Sequence, residues 1–153
     1  MLVTNHVLSG ALIGALIRRP VPAFAVGVAS HFVLDALPHW GDWRNQEHFI
    51  SVAVPDGLAG LAAIGTLAAV ARPERRLAVV AGMAGAALPD LDKPAQMWFG
   101  RSPWPDLVNR FHSGIQNEAA HRFRSEMTTM GALALAGLVV VRGRGRKRPR
   151  GPQ

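Results

Sequence analysis

His31, Asp35 and His39 fall four residues apart along ASHFVLDALPHWGD, residues 29–42. If that run is helical, each step of four adds about 400° of turn and the three side chains share one face. Imidazoles and a carboxylate on one face are the chemistry of a divalent metal site. Among apolar neighbours an unpaired charge is so costly that the stripe needs partners. Each step also adds about 6 Å of rise, so His31 and His39 stand about 12 Å apart in a regular helix, too far for one ion to bind both. Either two metals span the stripe, or one pair binds metal while the third member orients a ligand from outside. Pro38 disfavours helical geometry at Leu37, which lets His39 leave the stripe.

Other groups come from separate stretches. His6 lies just inside the apolar run TNHVLSGALIG. Asp56 follows Pro55 and reads equally as a ligand or as a charge that stabilises a helix N-terminus. LPDLD places Asp90 and Asp92 two apart, either reaching one ion together or forming an Asx-type turn. RFHSG offers His112 and AAHRFR offers His121, whereas His48 in NQEHFI reads as a solvated boundary residue. The metal candidates are therefore His6, His31, Asp35, His39, Asp90, Asp92 and His112. Asp35 or Asp56 is the candidate to orient the nucleophile or act as general base. The chain has no cysteine, which excludes thiolate zinc and disulfides; the cofactor expected is a divalent metal, zinc first, with manganese or iron as alternatives.

The elements that must position these groups are helices. At 153 residues, 49% hydrophobic and only 18% charged, the chain is a single domain shifted toward the membrane class. Apolar segments at 4–17, 21–37, 52–71, 77–88 and 127–141 predict an all-α fold, a short antiparallel membrane-associated bundle of about five main helices. Thr4 or Asn5 is the expected N-cap of the first, Arg18-Arg19-Pro20 its stop, and Pro22 and Pro55 fall early in the second and third. A polar connection at 89–126 contains the loop RSPWPD and one or two short amphipathic helices around 105–124. Only 52–71 reaches the roughly 20 residues that cross a bilayer. Gly10 and Gly14 have the spacing that allows two helices to touch closely.

Short turns make successive helices antiparallel, which sorts the polar residues by end. One end gathers Arg18, Arg19, Arg72, Arg75, Arg76 and the tail. The other gathers all six histidines and nine of the ten acids, together with Trp40, Trp43, Trp98 and Trp104 as an interfacial belt. The stretch RGRGRKRPRG carries six cations, Arg142, Arg144, Arg146, Lys147, Arg148 and Arg150; removing them from the formal +7 leaves +1. Residues 1–141 are thus expected to form the helical domain and 142–153 a basic disordered tail, cytoplasmic by the positive-inside rule. The tail suits lipid headgroups or a cytoplasmic protein partner, and a near-neutral body argues against nucleic acid.

Together TNHVLSGALIG, SHFVLDALPHWG, LPDLD and FHSG resemble the YdjM-like inner-membrane-associated metal-dependent hydrolases, across residues 4–113. The His-x-x-x-Asp element is also similar to that of zinc-dependent phospholipase C and related nucleases, which are helical and use a multinuclear zinc centre. The resemblance implies a multi-pass protein of the cell's inner membrane, with His6, His31, Asp35, Asp90, Asp92 and His112 at the family's polar positions. The chain departs from the pattern in carrying Leu107 near the place of a second histidine before the His-Ser pair. The function expected is metal-dependent hydrolysis of a lipid or small-molecule phosphoester at the lipid–water boundary. The alternative is a non-enzymatic membrane protein with a structural metal or an internally paired polar cluster. Neither a nucleophile elbow nor a P-loop is present, so serine hydrolysis and nucleoside-triphosphate chemistry have no support.

Overall fold

A computed structural model describes residues 1–42 and 44–143. Trp43 and the tail cations Arg144, Arg146, Lys147, Arg148 and Arg150 lie outside the described residues, as do the expectations that rest on them. The chain forms α1 (Val3–Ile17), α2 (Pro20–Ala36), α3 (Gln46–Val70) and α4 (Pro73–Ala87). A 3₁₀ turn (Leu88–Leu91) leads into α5 (Asp92–Phe99) and α6 (Asp106–Gly114), and a second (Ala120–Arg122) into α7 (Phe123–Arg142). Among the described residues the fold is all-helical, and its one extended pairing is an isolated parallel bridge between His39 and Glu118.

Several boundaries differ from the expected segments for identifiable reasons. Neither Thr4 nor Asn5 caps α1; both are buried inside it. The free amides of Val3 and Thr4 instead donate to the Asp56 carboxylate of α3, at 2.7 and 3.2 Å. Arg18 closes α1 in the left-handed conformation at φ 62°, returning its amide to the Gly14 carbonyl, and Pro20 opens α2. Helix α3 starts six residues before 52 because the Asn45 side chain accepts from the His48 amide at 2.8 Å. Pro55 therefore sits in its interior rather than in its first turn. Pro73 has no amide to leave unpaired, so α4 begins there rather than at 77.

Packing centres on α4, which lies along both α1 and α2. Glycine makes the contact possible. A Cβ on Gly10 would run into the Gly82 backbone, one on Gly14 into that of Ala78 and Val79, and one on Gly85 into the Phe24 carbonyl. The close approach expected of Gly10 and Gly14 thus has α4 as its partner. Val7, Leu8, Ala11, Val79 and Met83 form the core between them, closed by Leu67 of α3 and Val141 of α7.

The outer surface is equally apolar. Val21 and Val33 of α2, Leu58 and Leu61 of α3, and Leu135 and Val139 of α7 are all exposed. Two helical stretches, Gln46–Val70 and Ala120–Arg142, are long and apolar enough to cross a membrane, one more than the sequence suggested. At 15 and 17 residues α1 and α2 are shorter than that length. Of the tryptophans assigned to an interfacial belt, Trp98 is exposed, but Trp40 is buried against Phe123 and serves packing.

Candidate metal centre

Four separate segments meet at the acidic end of the bundle. Helix α2 places His31 and Asp35 one turn apart on its inner face, where both are fully buried. Helix α1 brings His6 beside them, its ring stacked on that of His31 with centroids 3.9 Å apart. The turn after α4 and the first residue of α5 supply Asp90 and Asp92, and α6 supplies His112. His31 Nδ1 lies 2.7 Å from the Ala86 carbonyl in the last turn of α4, where helix carbonyls lack intrahelical partners. A carbonyl only accepts, so Nδ1 carries a proton and Nε2 faces the cluster.

Asp35 is the hub. Its Oδ1 stands 3.1 Å from His6 Nε2 and accepts from the backbone nitrogen of Met1 at 2.9 Å. Its Oδ2 accepts from Gln116 Nε2 at 2.8 Å and faces His31 Nε2 at 3.1 Å and His112 Nε2 at 3.0 Å. The two imidazole nitrogens are themselves 3.0 Å apart. Asp90 Oδ1 lies 3.8 Å from each of them, and Asp92 Oδ2 lies 3.7 Å from His112 Nδ1.

His31 Nε2, His112 Nε2 and Asp35 Oδ2 therefore form a nearly equilateral triangle. That spacing would let the three atoms hold one ion together. The chemistry of the donors is compatible with such an ion. With one proton on Nδ1, His31 meets Asp35 Oδ2 at 3.1 Å through Nε2, a contact that is favourable when a proton or a metal ion lies between the two atoms. Three further buried atoms around the cluster, His6 Nδ1, Asp92 Oδ1 and Gln116 Oε1, have no hydrogen-bond partner. Three overlapping sets have ligand atoms within 4.8 Å of one another: His6, His31 and Asp90; His31, Asp35 and His112; and Asp90, Asp92 and His112.

The electrostatics follow from the same contacts. These groups lie on α1 and α2, outside the two candidate spans. Burial alone pushes the Asp35 carboxyl up, but hydrogen bonds with His112, His31 and His6 outweigh it and hold Asp35 well below the usual carboxylate range. Burial pulls His31 down, yet its contact with Asp35, backed by Asp90, raises it above an ordinary histidine. Burial dominates at His6, which is lowered.

Comparison with family models, with curated proteins and with solved structures gives no match.

Two expected members stand apart from the cluster. Helix α2 ends at Ala36, Pro38 turns the chain, and His39 folds back with Nδ1 donating to the Leu37 carbonyl at 2.8 Å and Nε2 facing Glu118 at 3.6 Å. The shared stripe is thus His31 and Asp35 alone, and no metal pair spans 12 Å of helix. Asp56 lies in the interior of α3 rather than at its N-terminus, and it accepts from the amides of Val3 and Thr4, so the helix it caps is α1 and not its own. His48 lies 3.9 Å from Asp42, and His121 is exposed.

Two other residues were not anticipated. Gln116, just beyond α6, orients Asp35; its only sequence signal was an amide four residues after His112. Glu126 is buried at the start of α7, accepting from the Leu2 amide at 2.9 Å, Asn5 Nδ2 at 2.8 Å and the Trp40 amide at 3.2 Å. It ties α1, the α2–α3 link and α7 together. Glu126→Ala leaves three buried donors without that acceptor and is expected to cost about 3 kcal/mol. Thermal unfolding in detergent, followed by circular dichroism, checks this.

Proposed function

We propose that the chain is a membrane-bound, metal-dependent hydrolase of phosphoesters, in keeping with its resemblance to the YdjM-like hydrolases, and that the ion is divalent, zinc before manganese or iron. The observation that carries this reading is the 3.0–3.1 Å triangle of His31 Nε2, His112 Nε2 and Asp35 Oδ2, assembled from two helices 77 residues apart in sequence. A bound zinc supplies a nucleophile at neutral pH and polarises a phosphoryl oxygen. The chain's own residues do the rest. His31 and His112 hold the ion, and Asp35 completes the face while its other oxygen restrains His6. Asp90 is the one carboxylate of the cluster with appreciable solvent access, at 18% exposure, so the general-base role expected of Asp35 or Asp56 passes to it. Helices α3 and α7 anchor the domain in the bilayer, with the acidic end on the outer side and the arginine-rich end cytoplasmic, where the basic tail meets lipid or a protein partner.

The saturation of Asp35 by internal partners favours a second reading, a purely structural cluster in a non-enzymatic protein. A closed coordination sphere, with no exchangeable water, is its mark. Metal analysis of detergent-purified wild type beside His31→Ala and His112→Ala separates the possibilities. The wild type is expected to retain at least one transition-metal ion per chain and to hydrolyse a chromogenic phosphodiester; both variants lose metal and activity together. Folded variants that keep the wild-type metal content overturn the assignment, and inactivity of metal-loaded wild type across lipid and nucleotide esters favours the structural reading.

A further inference from the structure

Beside the cluster, α5 and α6 enclose an open cleft of about 390 Å³. Asp92, Lys93 and Gln96 line it from α5, and Asp106, Asn109, Arg110 and Ser113 from α6. The pattern of α6 explains why. With His112 pointing into the cluster, Asn109, Ser113, Asp106 and Arg110 fall about 60–160° round one side of the helix, while Val108, Phe111 and Leu107 fall about 40–140° round the other. One flank is therefore polar and lines the cleft; on the opposite flank Leu107 and Phe111 are exposed. His112 sits at the seam.

The cleft touches the candidate metal centre through Asp92, one oxygen of which meets both. Oδ2 accepts from Lys93 Nζ at 2.8 Å and faces His112 Nδ1 at 3.7 Å, while the buried Oδ1 has no hydrogen-bond partner. Charges in the cleft balance as they stand: Lys93 and Arg110 against Asp92 and Asp106. A divalent ion drawn to Asp92 changes that balance, because the carboxylate is then neutralised by metal and Lys93 loses its partner. Arg110 is exposed and makes no ion pair among the described residues. A guanidinium in that position presents the planar fork that matches phosphate oxygens, and an ammonium beside it adds a point charge.

We propose that the α5–α6 cleft is an anion subsite that binds the phosphate group of the substrate through Arg110 and Lys93, and that a second ion, in the overlapping set Asp90, Asp92 and His112, switches it on by drawing Asp92 Oδ2 away from Lys93. The proposal rests on the metal-centre reading above. It makes metal and phosphate mutually reinforcing ligands, each raising the other's affinity by the same factor. The chemistry recognised is a phosphate ester, carried either by a soluble molecule or by a lipid headgroup.

The test is equilibrium binding of inorganic phosphate to the full chain in detergent, with and without zinc, alongside zinc binding itself. Zinc is expected to tighten phosphate binding about tenfold in the wild type. Arg110→Gln loses that gain with zinc content unchanged, and Lys93→Met loses it while binding zinc at least as tightly, since nothing then competes for Asp92. Glycerol phosphate against a short-chain phosphatidate distinguishes a soluble from a lipid source, the tighter ligand naming it. If zinc binds but phosphate affinity is the same without it, or is undiminished in Arg110→Gln, the cleft proposal is overturned and the metal centre stands. Failure of the wild type to take up zinc overturns both.

Discussion

Asp35→Ala is expected to empty the candidate centre of metal and to lower stability by about 3–5 kcal/mol, the largest effect of any single side chain in the cluster. The carboxylate is 1% exposed and meets His6, His31, His112 and Gln116 within 3.1 Å. Removing it leaves the Nε2 atoms of His31 and His112 with Asp90, 3.8 Å away, as their nearest remaining carboxylate. The raised affinity of His31 for its proton depends on that same contact, so this histidine falls back toward the neutral form. Asp35→Asn separates the two consequences. It keeps the volume and one acceptor oxygen, so the fold largely survives, but the ion loses its anionic ligand. Metal affinity should then fall by more than the roughly 10–100-fold that changes outside the ligand set produce. Metal content by mass spectrometry and thermal midpoint by circular dichroism report the two effects independently. Full metal occupancy in folded Asp35→Asn would show that the hub is not a ligand.

Gly82→Val is expected to be nearly as severe, although it lies outside the site. A Cβ at Gly82 would occupy the position of the Gly10 carbonyl, with the Gly14 nitrogen 3.0 Å away. Both obstacles are backbone, so no rotamer change relieves them and α1 must move off α4. The cost should exceed the about 1–3 kcal/mol of ordinary overpacking. The site should feel it too, because α4 orients His31 through the Ala86 carbonyl and α1 carries His6. Gly65→Ala in α3 is the control: nothing lies within 4 Å of its Cβ position, and replacing a mid-helix glycine should be neutral or stabilising by up to about 1 kcal/mol. Paired unfolding curves for the two variants check the contrast, and similar midpoints would contradict the close-packed crossing.

These two sites also show what the sequence could reveal. Gly10 and Gly14 announced a close crossing, but nothing local said that Gly82, about 70 residues on, was its other half. Helices were readable from apolar runs bounded by proline and arginine. Their starts were harder, because α1 is capped from α3 by Asp56, a partner 52–53 residues away, and α3 begins in the polar run QEHFIS rather than at its first long apolar stretch. Helix α5 was hidden inside the polar connection, where DKPAQMWF carries a proline at its third position, tolerated in a first turn.

At the site, charge segregation by bundle end was legible, and the structure brings His6, His31, Asp35, Asp90, Asp92 and His112 together at that end. The departure of His39 follows from Pro38, which breaks the i, i+8 relation the stripe depended on. The roles of Gln116 and Glu126 were not legible, because each acts through partners 81 or more residues distant. A lone acid at the head of an apolar helix gives no indication of which backbone amides it will collect.

Zinc-edge X-ray absorption of the zinc-loaded wild type addresses the convergence of His31, His112 and Asp35 on one ion most directly. The expected spectrum shows nitrogen and oxygen ligands at about 2.0–2.1 Å with the outer-ring scattering of two or more imidazoles. An all-oxygen, hydrated environment without imidazole scattering would contradict it.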